Sequence, residues 1–283
     1  MPSLTALDAT RLVELFEALR WSVREADGVE SARLTLFREL LHELDAEEKE
    51  LILTITADFY LHALDSYQAS AARLADMVAV SLVDGHDFVV ALPLQRPKDV
   101  GLPKSAGLAL YLLRHELAER SRGATWRFCA WDRLNLLNQK AATRTNALIL
   151  LVDDFIGSGT TARECVAAFR REHARPSDKV ILCAFVALSR AAEALNAEGV
   201  DLIAANPLQR RGISDSTRLR DKVAALATMD NIELRLKLGA DYRRGYKQSE
   251  ALVYMARCPN NTFPVYWADT RKTGGVWPAP FRR

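Results

Sequence analysis

Residues 1 to about 84 carry apolar positions at helical spacing. Leu12, Leu15, Phe16 and Leu19 line one face, and residues 31–44 repeat the pattern with Leu34, Phe37, Leu40 and Leu41. A third segment opens on Asp45-Ala46-Glu47-Glu48, acids suited to a first turn, and is expected to run helically through Phe59 and Leu61. A fourth helix is predicted over 67–82. No catalytic grouping stands out in this region, and His42 and His62 read as packing or surface residues. The pattern changes at Asp87. Short apolar runs at 88–94, 126–131, 147–152, 179–188 and 200–205 predict strands. Helical stretches at 106–120, 161–171 and 189–198 lie between them. Such alternation predicts an α/β protein with a doubly wound parallel sheet. A long amphipathic helix over 218–238, a last strand over 251–255 and a turn-rich aromatic tail, CPNNTFPVYW, complete the chain. The expected division is a helical N-terminal region, 1–84, and an α/β domain with its tail, 85–283.

The most chemical stretch is 147–162, ALILLVDDFIGSGTTA. A continuously apolar run, as a parallel strand covered on both faces requires, ends in Asp153 and Asp154. Open α/β sheets place their ligands at the carboxyl ends of strands. Gly157, Ser158, Gly159, Thr160 and Thr161 follow, able to offer backbone N–H groups and hydroxyls at a helix start, which favours an anion. Carboxylates beside a phosphate cradle suit a ribose 5-phosphate. Two rival phosphate loops fail on their residues. No Gly-Lys-Ser/Thr follows the glycines, and Gly157-x-Gly159 lacks the third glycine of a dinucleotide fingerprint. A metal site built on the paired acids and a plain strand-capping turn, with Ser158 or Thr160 as N-cap, are the other readings.

Composition narrows the class only modestly. The 283 residues are 49% hydrophobic and 26% charged, enough for a sizeable core and too apolar for disorder. A net charge of +2 decides neither for nor against nucleic acid. The N-terminus shows no secretory pattern, and no uncharged run reaches membrane-spanning length. The four cysteines are scattered without Cys-x-x-Cys, as expected of reduced thiols in a cytoplasmic protein. No metal-ligand spacing joins them or the histidines.

DDFIGSGTT resembles the phosphoribosyl-diphosphate (PRPP) motif of type I phosphoribosyltransferases, with Gly157 where that family usually has Thr or Ser. The resemblance implies that Asp153 and Asp154 accept hydrogen bonds from the ribose 2′ and 3′ hydroxyls. It also implies that residues 157–161 wrap the 5′-phosphate. Lys104 and Ser105, after the first sheet strand, stand where the family's loop meets pyrophosphate, with Ser105 able to cap the following helix. Residues 132–146, bearing Arg133, Lys140 and Arg144, take the place of the family's mobile loop, and Arg210-Arg211 falls near the expected ligand edge but reads as a surface pair. Asn260 and Asn261 offer donor and acceptor edges beside aromatics able to stack on a base; an Asn turn with aromatics covering the core is the alternative. Together the helical N-terminal region, the Lys-Ser loop, VDDFIGSGTT and the PNNT-x-P-x-x-W tail resemble the phosphoribosyltransferase-like (PRTase-CE) domains of prokaryotic conflict, or antiphage, systems. The implied function is a Mg²⁺- and PRPP-dependent phosphoribosyltransferase-like enzyme, the ion held mainly through ligand oxygens. A non-catalytic PRPP or nucleotide sensor acting on protein partners through the N-terminal helices is the alternative. A nucleic-acid effector is a third reading, resting on the basic residues between Arg96 and Arg144.

Overall fold

The computed structural model describes residues 4–96, 99, 104–132, 146–281 and 283. It divides into two compact units, Met1–Ala63 with Gln209–Arg283 and Leu64–Leu208. The division expected near residue 84 thus differs from the one the units show.

In the first unit α1 (Ala6–Ala18), α2 (Ala32–His42) and α3 (Ala46–Thr56) form as their patterns predict. Thr5 and Asp45 head capping boxes with Asp8 and Glu48, and the Ser31 hydroxyl accepts from the Leu34 N–H. Phe16, Trp21, Phe37, Phe59, Tyr266 and Phe281 meet in a cluster of edge-on rings in which Phe59 and Phe281 are stacked. The helix expected to continue through Leu61 stops at Thr56. Tyr60–Leu61 is a short strand, β1, whose backbone donates from Tyr60 to Leu252 and from His62 to Tyr254. Its partner lies about 190 residues away along the chain, beyond the reach of any local periodicity.

The second unit opens with α4 (Tyr67–Ser81), followed by β2 (Phe88–Pro93), α5 (Ser105–Ser121) and β3 (Arg127–Ala130). Then come β4 (Ala147–Ile156), α6 (Thr160–Glu172), β5 (Lys179–Ala187), α7 (Ser189–Ala197) and β6 (Asp201–Ala204). The five strands pair in parallel in the order β3-β2-β4-β5-β6. Residues 147–152 and 181–187 are buried throughout, as strands covered on both faces must be. The expected doubly wound α/β sheet is therefore present, and N-terminal helices precede it.

The chain then returns to the first unit with α8 (Lys222–Glu233) and β7 (Val253–Tyr254). The helix predicted over 218–238 is shorter because Asp221 caps it, accepting from the Ala224 N–H. The last predicted strand pairs with β1 and not with the large sheet. None of the described helices is long and apolar enough to cross a membrane.

Candidate functional site

The strand order sets the site. The chain leaves β2 toward β3 on one side, then returns past β2 to build β4, β5 and β6 on the other. The connections after β2 and β4 therefore diverge, and this is the switch point at which parallel α/β sheets bind ligands. The register sharpens this point. β2 pairs with β4 only up to Pro93 opposite Val152, whereas β5 accompanies β4 to Ile156 opposite Ala187. Asp153 is thus the first residue of β4 beyond its pairing with β2, and among the described residues no strand pairs with that edge there.

The two acids face different surroundings because side chains alternate along a strand. Asp154 is 5% exposed, and its Oδ2 accepts a 2.7 Å hydrogen bond from the hydroxyl of Tyr67, the first residue of α4. Asp153 keeps part of its surface open, and its Oδ1 accepts from the Asp154 backbone N–H at 2.9 Å. Burial in low-dielectric surroundings, reinforced by the neighbouring Asp154, holds the Asp153 carboxyl well above the ordinary aspartate range. Lys104 pulls the other way, which places its charge within reach of Asp153.

The turn that follows is built for close approach. Gly159 is the N-cap of α6 at φ +75°, a conformation that favours glycine. Neither Ser158 nor Thr160 is the N-cap residue, and the glycine that holds that position has no side chain to cap the helix. The Ser158 hydroxyl donates to Thr160 Oγ1 at 3.1 Å and accepts from the Thr160 N–H at 3.4 Å. Arg163, paired with Glu198 at 2.7 Å, donates to the Ser158 carbonyl and holds the turn from behind.

After β2, Lys104 is the N-cap of α5 and Ser105 its first residue, so the expected Ser105 cap is displaced by one position. Lys104 Nζ lies 3.9 Å from Asp99 Oδ2, and Arg96 Nε donates to the same carboxylate at 2.7 Å. Arg96 also approaches Glu164 of α6 at 3.7 Å. The unit Leu64–Leu208 therefore brings together Lys104, Ser105, Asp153, Asp154 and residues 157–161, with Arg96 beside them. No local pattern singles out Tyr67, because its partner lies 87 positions away. Arg133, Lys140 and Arg144 fall outside the described residues.

Asn260 and Asn261 belong to the other unit. Asn261 is 8% exposed; its side-chain amide donates to Ser249 Oγ, and its carbonyl accepts from the Ala251 N–H and the Ser249 hydroxyl. Thr262 donates to the Val253 carbonyl, and Trp267 Nε1 to the Thr262 carbonyl. Phe263 and Tyr266 are fully buried. Asn261 and the aromatics thus serve as a turn over a core, while the Asn260 side chain is partly exposed. Arg211 is paired with Asp215 at 2.7 Å in the same unit.

A parallel sheet with an acid pair and a Gly/hydroxyl turn at its switch point defines a phosphoribosyltransferase-like α/β protein. The chain belongs to the PRTase-CE family, whose model matches residues 75–283. A comparison with curated proteins finds no match. Among solved structures, the chain is similar to hypoxanthine-guanine phosphoribosyltransferase from Schistosoma mansoni in complex with IMP. Identity is 12%, the match covers 47% of this chain and 59% of that one, and the TM-score is 0.32. Orotate phosphoribosyltransferase from Aeropyrum pernix shows 16% identity over 50% and 70% of the two chains, with a TM-score of 0.32. A hypothetical protein from Neisseria gonorrhoeae with bound ppGpp shows 14% identity over 61% and 97%, with a TM-score of 0.35. Likeness at this level carries nothing about the ligand of this chain.

Proposed function

We propose that the protein binds PRPP or a ribose-phosphate nucleotide at the carboxyl end of β4 and displaces pyrophosphate from it, in a prokaryotic conflict setting. One observation supports this reading: a partly open aspartate on β4 just beyond its pairing with β2, immediately before a Gly/hydroxyl turn at a helix start. Within the acid pair Asp153-Asp154, the partly open Asp153 accepts from the ribose hydroxyls beside the buried Asp154. Residues 157–161 hold the 5′-phosphate through N–H groups and hydroxyls. Lys104 and Ser105 meet the pyrophosphate, with Lys104 as a mobile point charge.

Among the described residues no group of three or more His, Cys, Asp or Glu side chains comes together to hold a metal. In this reading a magnesium ion is held mainly through ligand oxygens, with Asp153 the acid open enough to reach it, and it would neutralise charge on the phosphates. In the reaction the bond from C1′ to the pyrophosphate oxygen breaks, and pyrophosphate leaves with the electron pair. An acceptor nucleophile then bonds to C1′. Positioning and charge stabilisation supply the catalysis.

Titration calorimetry with PRPP and Mg²⁺ tests the reading, with circular dichroism to confirm the fold. Asp153→Asn with Asp154→Asn should weaken binding about a hundredfold, the scale of two hydrogen bonds to charged acceptors. Unchanged affinity would sink the assignment. The Tyr67–Asp154 bond favours the sensor as a second reading, because it ties a helix to the acid pair. Binding without pyrophosphate release across bases, nucleosides and nucleic acids would select it.

A further inference from the structure

Residues 64–74 precede the segment that the family model matches, yet they belong to the unit that holds the acid pair. Tyr67 is completely buried, and its ring stands edge-on to Phe185 of β5 at 5.3 Å and 79°. A phenylalanine would fill that space equally well. The hydroxyl is therefore explained by its partner, the Oδ2 of Asp154 at 2.7 Å. The next turn of α4 is fastened to the carboxyl end of the sheet. Ser70 Oγ accepts from Asn206 Nδ2 and from Arg73 Nη2, each at 3.0 Å. Asn206 Nδ2 also donates to the Phe185 carbonyl at 2.8 Å, while Arg73 donates to Asn206 Oδ1 at 2.6 Å and to the Ala205 carbonyl at 3.1 Å. These bonds hold α4 against β5 and the segment after β6, and so fix the point from which Tyr67 reaches Asp154. A second hydrogen bond continues the chain, from the Asp154 N–H to Asp153 Oδ1.

We infer that Tyr67 is a positioning residue of the ligand site, acting through Asp154 to hold Asp153 in the orientation that reads a ribose hydroxyl. The two acids then do unequal work. Asp154 and Tyr67 form the buried, orienting half, and Asp153 is the half that meets the ligand. The inference rests on the ribose-phosphate reading and extends the site to residues outside the family match.

The test compares binding of ribose 5-phosphate, 2-deoxyribose 5-phosphate and inorganic phosphate by calorimetry. Wild type should prefer ribose 5-phosphate over the deoxy sugar by about tenfold, the scale of one hydrogen bond to a charged acceptor. Tyr67→Phe should reduce that preference to within about twofold while leaving phosphate affinity unchanged. A preference retained in full overturns the inference and leaves the ribose reading standing. A parallel loss of phosphate affinity also overturns it, because a merely structural role would loosen both ends. A wild type without any preference overturns the ribose reading, and this inference with it. Should Tyr67→Phe fail to fold, Asp154→Asn is the second variant: partial loss of preference supports the orienting role, and full retention refutes it.

Discussion

Asp153 in the unit Leu64–Leu208 and Glu233 in the unit that contains the PNNT tail are both acids held above their ordinary range. Their settings differ. Glu233 ends α8 at 1% exposure, and burial pushes its carboxyl up to about 8, with Asp230 adding to the rise and the Arg244 N–H opposing both. Its Oε2 accepts that N–H at 2.7 Å, and its Oε1 has no hydrogen-bond partner among the described residues. Asp153 is partly open, stands on a strand beyond its pairing with β2, and has Lys104 and a helix start nearby. A shifted acid by itself therefore does not mark a ligand site. Access and adjacent anion-binding groups do. The same contrast separates the two motifs. Residues 153–161 leave hydroxyls, N–H groups and an acid at an edge, whereas Asn261 and Thr262 spend theirs within their own unit.

The contrast can be broken most forcefully in the tail. Gly245 sits at φ +78°, and a Cβ there would collide with the Asn261 carbonyl. Gly245→Ala should lower stability by about 3–5 kcal/mol in urea unfolding, from forced left-handed backbone and steric collision together. A loss under about 1 kcal/mol would mean that the turn around Asn261 yields readily and is not fixed over its core.

Glu233→Gln comes next. A folded-state pKa near 8, above the ordinary 4.5, means that the folded protein binds more protons between those values. Stability therefore falls as pH rises through that window. The amide variant keeps an acceptor for Arg244 and removes the fall, so it should exceed wild type by on the order of 2 kcal/mol at pH 9 and match it near pH 4. Equal pH profiles would show that Glu233 is less sealed than its geometry indicates.

The smallest effect is on Asp153. Its raised pKa likewise costs stability as pH climbs above the ordinary aspartate value, so Asp153→Asn should raise the Tm by a few degrees at pH 7. The gain should vanish at about pH 3, where both states are protonated. A lower Tm at pH 7 would make Asp153 a structural acid and erase its difference from Glu233.

Much of the sheet and its acid-bearing turn was legible in the sequence because their signals are local. Residues 147–152 are continuously apolar, and the Asp pair, glycines and hydroxyls follow within nine positions. What escaped depends on distant partners. The early stop of α3 follows from pairing of Tyr60 and Leu61 with Val253 and Tyr254. The place of α4 in the sheet-bearing unit follows from bonds such as Tyr67 to Asp154 and Arg73 to Asn206. Neither leaves a mark on helical periodicity, and so a boundary drawn from the pattern alone fell after α4. The tail was ambiguous for a related reason: an Asn pair among aromatics looks the same in sequence whether its amides face a ligand or, as for Asn261, a neighbouring serine.

The central claim is that the open acid at the end of β4 reads the ligand. Calorimetric titration of PRPP with Mg²⁺ into wild type and Asp153→Asn at pH 7.5 tests it most directly. The account predicts at least about a tenfold loss of affinity in a variant that is folded and no less stable than wild type. Equal affinity in the two proteins would contradict it.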